Sequence, residues 1–183
     1  MQSSFHDTES EYFGSVRSTP HAKSAAGTQS PLSDLYKVRA YGNSGALTVE
    51  EAVTEKGRLA TAQFEFAPKR GKSYDFSHSK QVFQLSPQEL PLVIGLFLGY
   101  LPRLVLIRDD GQVEMERQRL SETGFGSIRM HVKSKGGNNY SLPVQPGEAA
   151  RISAMLMWRI SLQCPCPPAL LLPSIKGACS LLL

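Results

Sequence analysis

A chain of 183 residues, 41% hydrophobic and 20% charged, is long enough to bury a real core in one domain with tails and too short for two full enzymatic domains. Its net charge of +4 is carried by the middle, where 17 basic face 13 acidic residues between 31 and 160; that mild surplus suits a polyanionic partner without requiring one. No apolar run reaches the ~18 residues of a membrane-spanning helix, and Cys164, Cys166 and Cys179 all fall in the last twenty residues, so no disulfide framework holds the core.

Residues 1–30 are rich in Ser, Thr, Gly and Ala and offer too little apolar area to offset ordering, so they read as disordered. The start lacks a basic region followed by an apolar one and reads as no secretory signal; any organelle address would lie upstream or be atypical. From Leu35 to Tyr41 apolar and polar residues alternate with the period of a half-buried strand. Gly42-Asn43-Ser44-Gly45 is a turn, and alternation resumes over Ala46–Thr54. Leu59–Ala67 sets Phe64 and Phe66 against Gln63 and Glu65, Pro68–Lys72 is a basic turn, and Ser79–Leu85 is a fourth strand. Four short strands with short turns describe an antiparallel meander.

Ser86-Pro87-Gln88-Glu89 then opens a helix. Ser86 is the N-cap, Pro87 the first helical residue, and Glu89 completes a capping box. The helix runs to about Tyr100 and is apolar nearly all round, which requires burial on several sides in a core or an oligomer interface. Strands follow over Leu104–Arg108, Val113–Leu120, Ser127–Ser134 and Tyr140–Val144, with Asp109-Asp110-Gly111 and Gly136-Gly137-Asn138-Asn139 as hairpin turns. Pro146–Ile160 is a second helix. The expected class is α+β, in the order ββββα-ββββα. In residues 161–183 four prolines, Pro165, Pro167, Pro168 and Pro173, argue against a regular helix, so the expectation is an irregular Cys/Pro/Leu tail after a domain spanning 31–160.

Few residues invite catalysis. His6, His21, His78 and His131 lack metal-ligand spacing, the glycines of 42–45 precede a strand rather than a helix, and Cys164-Pro165-Cys166 has no second ligand pair. No catalytic residue, metal or cofactor is expected. Basic and aromatic residues are more suggestive. Tyr36, Lys37, Arg39 and Tyr41 share a strand; Lys69, Arg70, Lys72, Tyr74, Phe76 and Lys80 surround one turn; Arg129, His131, Lys133, Lys135, Asn138, Asn139 and Tyr140 gather at another. Single-strand binders need such cations for phosphates and such rings for bases. The plainer alternative makes the rings core and the lysines a solvated face.

Phe66-Ala67-Pro68, Tyr74-Asp75-Phe76, Lys80-Gln81-Val82-Phe83 and Leu85-Ser86 fall in the order and spacing of a motif block that resembles the Whirly proteins, with Phe76 where that family has Trp. Gly111-Gln112-Val113, Tyr140-Ser141-Leu142-Pro143-Val144 and Glu148 continue the resemblance, which spans about residues 36–160. It implies two antiparallel four-stranded sheets packed roughly perpendicular, helices that join protomers into a homotetramer, and single-stranded DNA bound with little sequence preference. Related kinetoplastid mitochondrial guide-RNA-binding proteins share this fold and bind RNA. Under the resemblance Lys37, Lys72, Lys80 and Lys133 would contact phosphates, and Tyr36, Tyr74, Phe76 and Phe83 would stack on bases, with Phe64 and Gln81 in the same site. It further implies a non-enzymatic role in mitochondrial or plastid DNA maintenance, or in transcription and defence in a nucleus, with no membrane association. RNA binding or annealing in a mitochondrion and a pure oligomeric scaffold are the competing readings. Two departures stand out: the family's first hairpin carries two lysines where this chain has Gly42–Leu47, and the chain diverges after Ile160.

Overall fold

The computed structural model describes residues 37–182 except 122, 123, 138 and 165. Residues 1–30, expected to be disordered, lie outside the described residues, as does Tyr36. The first sheet is built from β1 (Val38–Tyr41), β2 (Gly45–Val53), β3 (Ala60–Arg70), β4 (Ser73–Tyr74) and β5 (Gln81–Gln84). All pairings are antiparallel; β2 lies between β1 and β3, while β4 and β5 pair with different stretches of β3. This sheet therefore has five strands rather than four. Strand β3 runs on through the expected basic turn to Arg70, and the two-residue β4 pairs Tyr74 with Lys69. The second sheet is the expected four-stranded meander of β6 (Arg103–Arg108), β7 (Gly111–Ser121), β8 (Gly124–Ser134) and β9 (Asn139–Val144).

Period-two patterning decides which faces meet. Phe64 and Phe66 are buried while Gln63 and Glu65 are not; Ile128, Met130 and Val132 are buried between Arg129, His131 and Lys133. One cluster joins Leu47, Val49, Phe64, Phe66 and Phe83 of the first sheet to Val113, Met115, Met130, Leu142 and Val144 of the second and to the helices.

Helix α1 (Glu89–Leu98) begins two residues later than expected, with Gln88 rather than Ser86 at its N-cap, and ends at Leu98 rather than about Tyr100, but the expected Ser86–Glu89 pairing is present just ahead of it. The Glu89 N–H donates to Ser86 Oγ (3.2 Å), and the Ser86 N–H donates to the Glu89 carboxylate (2.8 Å). Arg108 of β6 grips that carboxylate with both nitrogens, at 2.7 and 2.9 Å. At the other end Gly99 takes a left-handed conformation (φ 90°), and Arg117 donates to the carbonyls of Leu96 (3.0 Å) and Phe97 (3.2 Å). Arg117 shares the inward parity of Val113 and Met115 on β7, and these carbonyls are what its charge meets there.

Helix α2 (Pro146–Gln163) starts with the Gln145–Glu148 capping box and continues past the expected end at Ile160. Its buried Arg159 donates to the Thr61 and Ala52 carbonyls and to Glu51 (3.2 Å), and Gln163 donates to the Ala60 carbonyl, so both tie the helix to the first sheet.

The expectation of an irregular tail is overturned by α3 (Pro168–Ser180). Pro167 occupies the N-cap and Pro168 the first turn, where a missing N–H removes no helical bond. Only Pro173 sits inside, and the bond it forgoes belongs to Ala169, an exposed residue. Leu171, Ile175 and Cys179, four apart, are buried, and the helix packs on α1. At the crossing a Cβ added to Gly95 would overlap Cys179 Sγ. Residues to Ser180 thus belong to the same packed unit as the sheets, and α1 receives from the chain itself the cover its apolar surface demands.

Candidate functional site

The two sheets are joined through the Gly42–Gly45 turn. The Ser44 hydroxyl donates to the Ser141 carbonyl (2.5 Å) and accepts from the Ser141 N–H (3.2 Å), bridging the turn to β9. Such proximity needs glycine: a Cβ on Gly42 would stand 2.8 Å from Leu142 Cβ, and one on Gly45 would enter the Tyr140 ring. The Lys69 N–H donates to the Ser44 carbonyl (2.9 Å), and the Tyr74 hydroxyl to the Gly42 carbonyl (2.9 Å). One short turn therefore fixes β9, the end of β3 and β4 relative to each other.

Around this junction lie three adjoining clefts, each lined in part by Tyr140, with volumes of about 260, 360 and 580 Å³. His78, Lys80, Gln81, Asp110 and Ser134 line the first; Ser44, His131, Lys133 and Asn139 the second; Pro68, Lys69 and Gly71 the third. Beside them Tyr41, 54% exposed, leans on Tyr74 with ring centroids 5.5 Å apart.

The cations divide into two groups. Lys37 pairs with Glu50 (2.8 Å), Lys80 with Glu65 (2.9 Å) and Arg70 with Asp75 (3.3 Å). The hydrogen bond from Lys37 to Glu50 raises the lysine's pKa, and although burial pushes Glu50 up, its bonds from Lys37 and Gln63 hold it below the usual carboxylate value. Asp75 is also held low, by the backbone N–H of His78 and the Ser79 hydroxyl. Lys69, Lys72, Lys133 and Lys135, by contrast, are exposed and make no ion pair among the described residues. These four flank the clefts as open positive charge.

The residues named from sequence therefore separate. Tyr41, Lys72, Tyr74, Lys80, Gln81, His131, Lys133, Lys135 and Tyr140 gather at the junction or its borders. Phe76 is half-buried in the loop after β4, Arg39 lies on the outer face of β1 with the exposed Lys37 just before that strand, and Arg129 lies farther along β8 on the outer face of the second sheet. Phe64 and Phe83 are corrected: at 1% and 0% exposure they are core residues and offer no base a ring face. Phe64 stacks on Phe66 and Phe66 meets Phe83 edge-on, because strand parity turns these rings toward the helices. The site also holds Asn139, named with the second hairpin cluster, and Ser44, Asp110 and Ser134, which the sequence reading left out. Their signal is weak, since small polar residues in hairpin turns are common everywhere.

Among the described residues no three or more His, Cys, Asp or Glu side chains gather as a metal site, and no helix is long and apolar enough to cross a membrane. The arrangement offers cations, a tyrosine pair and hydrogen-bonding groups along an open surface, which can hold a ligand.

No protein-family profile matches the chain, and no curated protein sequence matches it. Among solved structures, the chain is similar to WHY3 from Arabidopsis thaliana at 21% identity, covering 78% of this chain and 95% of that one with a TM-score of 0.49. It is similar to the plant transcriptional regulator PBF-2 at 21% identity (79% and 95% covered, TM-score 0.49) and to MRP1/MRP2 of Trypanosoma brucei at 13% identity (69% and 90% covered, TM-score 0.44). At such identities these are likenesses between chains and assign no activity to this one.

Proposed function

We propose that this protein binds single-stranded nucleic acid, DNA in the first instance, without catalysing a reaction, along the surface that runs from the Lys69–Lys72 hairpin past Tyr41, Tyr74 and Tyr140 to Lys133 and Lys135. The carrying observation is a tyrosine pair, Tyr41 exposed and Tyr74 half-buried with ring centroids 5.5 Å apart, beside four exposed lysines that make no ion pair among the described residues. Flat rings accept unpaired bases of any sequence, and unpaired lysines neutralise phosphates without first breaking an internal salt bridge. Assembly into a homotetramer and work on organellar DNA or its transcription belong to the same proposal and rest on the motif block.

Fluorescence anisotropy with a labelled 30-mer, single-stranded or duplex, at 50 and 200 mM salt tests it. Four neutralised phosphates give single strands a salt slope of about −2.8, so affinity should fall by about 50-fold between those concentrations. Equal affinity for both forms, or no salt dependence, would sink the proposal. Competition with a matched RNA strand assigns the sugar: RNA displacing DNA at lower concentration makes the protein an RNA binder.

A further inference from the structure

Cys164 and Cys166 stand at the junction of α2 and α3, and the nucleic-acid surface makes no use of them. Cys164 is the C-cap of α2, where its N–H donates to the Ile160 carbonyl (3.1 Å). Cys166 directly precedes Pro167, the N-cap of α3, and rests in part on the core cluster. Helix ends on both sides thus bring the two side chains together, and the Cys164 thiol donates to Cys166 Sγ at 3.1 Å. Both residues are half-buried, whereas Cys179, the third cysteine of the chain, is buried at the α1 crossing. Among the described residues no third His, Cys, Asp or Glu joins the pair, which falls short of the four ligands of a structural zinc site. Two thiols in contact have another chemistry open to them. A disulfide holds its sulfurs about 2.05 Å apart, so bonding asks the pair to close by only about 1 Å.

We infer that Cys164 and Cys166 are a redox modification site, which small-molecule disulfides oxidise to a reversible intramolecular disulfide pinning the end of α2 to the start of α3. The site goes beyond nucleic-acid binding and does not depend on it. The hydrogen bond from Cys164, with burial, pushes the Cys166 thiol above the ordinary cysteine value, which leaves Cys164 as the first nucleophile. Its thiolate attacks one sulfur of the reagent, the reagent's S–S bond breaks, and half of the reagent leaves as a thiolate. Cys166 then gives its proton to solvent and attacks the Cys164 sulfur, expelling the second half as another thiolate. The protein loses two electrons and two protons, and the reagent's disulfide takes the electrons. Because the second thiol is already in contact, closing the bond outruns capture of a second reagent molecule. Closure fixes the short linker from which α3 reaches across α1.

Reaction of the reduced full chain with dithiobisnitrobenzoate, an aromatic disulfide, tests the inference; absorbance follows the coloured thiolate released and mass spectrometry follows the protein. Wild type should release two thiolates per chain, the second at a rate that stays within about twofold over an about tenfold range of reagent. It should end lighter by two hydrogens, with no reagent attached and the buried Cys179 untouched. Peptide mapping should place the bond between Cys164 and Cys166, and excess dithiothreitol should restore both thiols. Cys164→Ser and Cys166→Ser should each retain one reagent group instead. Wild type that keeps two reagent groups, or a second release that rises in proportion to reagent, overturns the inference by showing that the thiols do not meet. Thiols that fail to react in the native chain overturn it too, as does a bond that maps to Cys179 or to a second chain. The measurement on wild type decides the matter even where a serine variant fails to fold.

Discussion

Replacing Gly95 with alanine puts the packing of α3 on α1 to a test whose sign can be worked out in advance. Inside an exposed helix this change gains about 1 kcal/mol, because alanine loses less backbone freedom than glycine. Here the new methyl would overlap Cys179 Sγ, while the next atoms, Cys179 Cβ and Ile175 Cγ2, stand at 3.7 and 3.9 Å, in ordinary contact. A single sulfur is therefore the whole obstacle. Forcing it aside in a packed interface costs about 1–3 kcal/mol, so the net effect in wild type is neutral to about 2 kcal/mol destabilising. In a Cys179→Ala background the sulfur is gone, and the same substitution should stabilise by about 1 kcal/mol. Urea unfolding of the four proteins in this cycle, followed by far-ultraviolet circular dichroism, should give a coupling of about 1–3 kcal/mol. A coupling within about 0.5 kcal/mol of zero, with Gly95→Ala stabilising in both backgrounds, would refute the docking of α3 on α1.

Three further outcomes follow from named contacts. Changing Lys69, Lys72 and Lys133 together to glutamine should flatten the salt slope of single-strand binding by about 2, seen as converging affinities near 200 mM salt in the anisotropy titration. Tyr41→Ala should weaken binding by about 1–3 kcal/mol with little change in melting, whereas Phe83→Ala should cost about 3–5 kcal/mol of folding stability, because the first ring is exposed and the second is wholly buried. Burial pushes Glu89 up, but the bonds from Arg108 and Ser86 outweigh it and leave its folded pKa lowered. A depressed carboxylate contributes stability that is present above its unfolded pKa, about 4.5, and is lost as pH falls through the folded value. Glu89→Gln should thus cost roughly 1 kcal/mol near neutrality and progressively less below about pH 4, as read from denaturant midpoints against pH.

Much of this fold was legible because strand parity and capping are local. Alternation over Ser127–Ser134 identified the buried face of β8 residue by residue, and Ser86 with Glu89 announced the start of α1. The same parity also bore on the site: Gln81 sits two residues before Phe83, so a polar amide at an inward position was readable as an oddity. Phe64 and Phe83 were assigned to the surface by family resemblance against that parity, and the packing of their rings went with the parity. Helix α3 is hidden in the sequence by its prolines, although two of them occupy N-terminal positions that need no N–H, and Leu171, Ile175 and Cys179 recur at helical spacing. The junction itself could not be read. Ser44 meets Ser141 across 97 residues of chain, and no local pattern encodes a contact at that separation.

The cover that α3 provides for α1 also sets the terms on which this protein can associate with copies of itself. Helix α3 is tethered to α2 by the few residues from Cys164 to Pro167, so its local concentration at α1 is of millimolar order, as for any short linker. A second chain offering an equally good apolar helix at micromolar concentration would lose that competition by about a thousandfold. Assembly through α1 is therefore an exchange reaction, in which one helix must leave before another arrives. Assembly through the exposed sides of α2 and α3, where Leu162, Leu170 and Leu172 face outward, carries no such displacement and is governed by protein concentration alone.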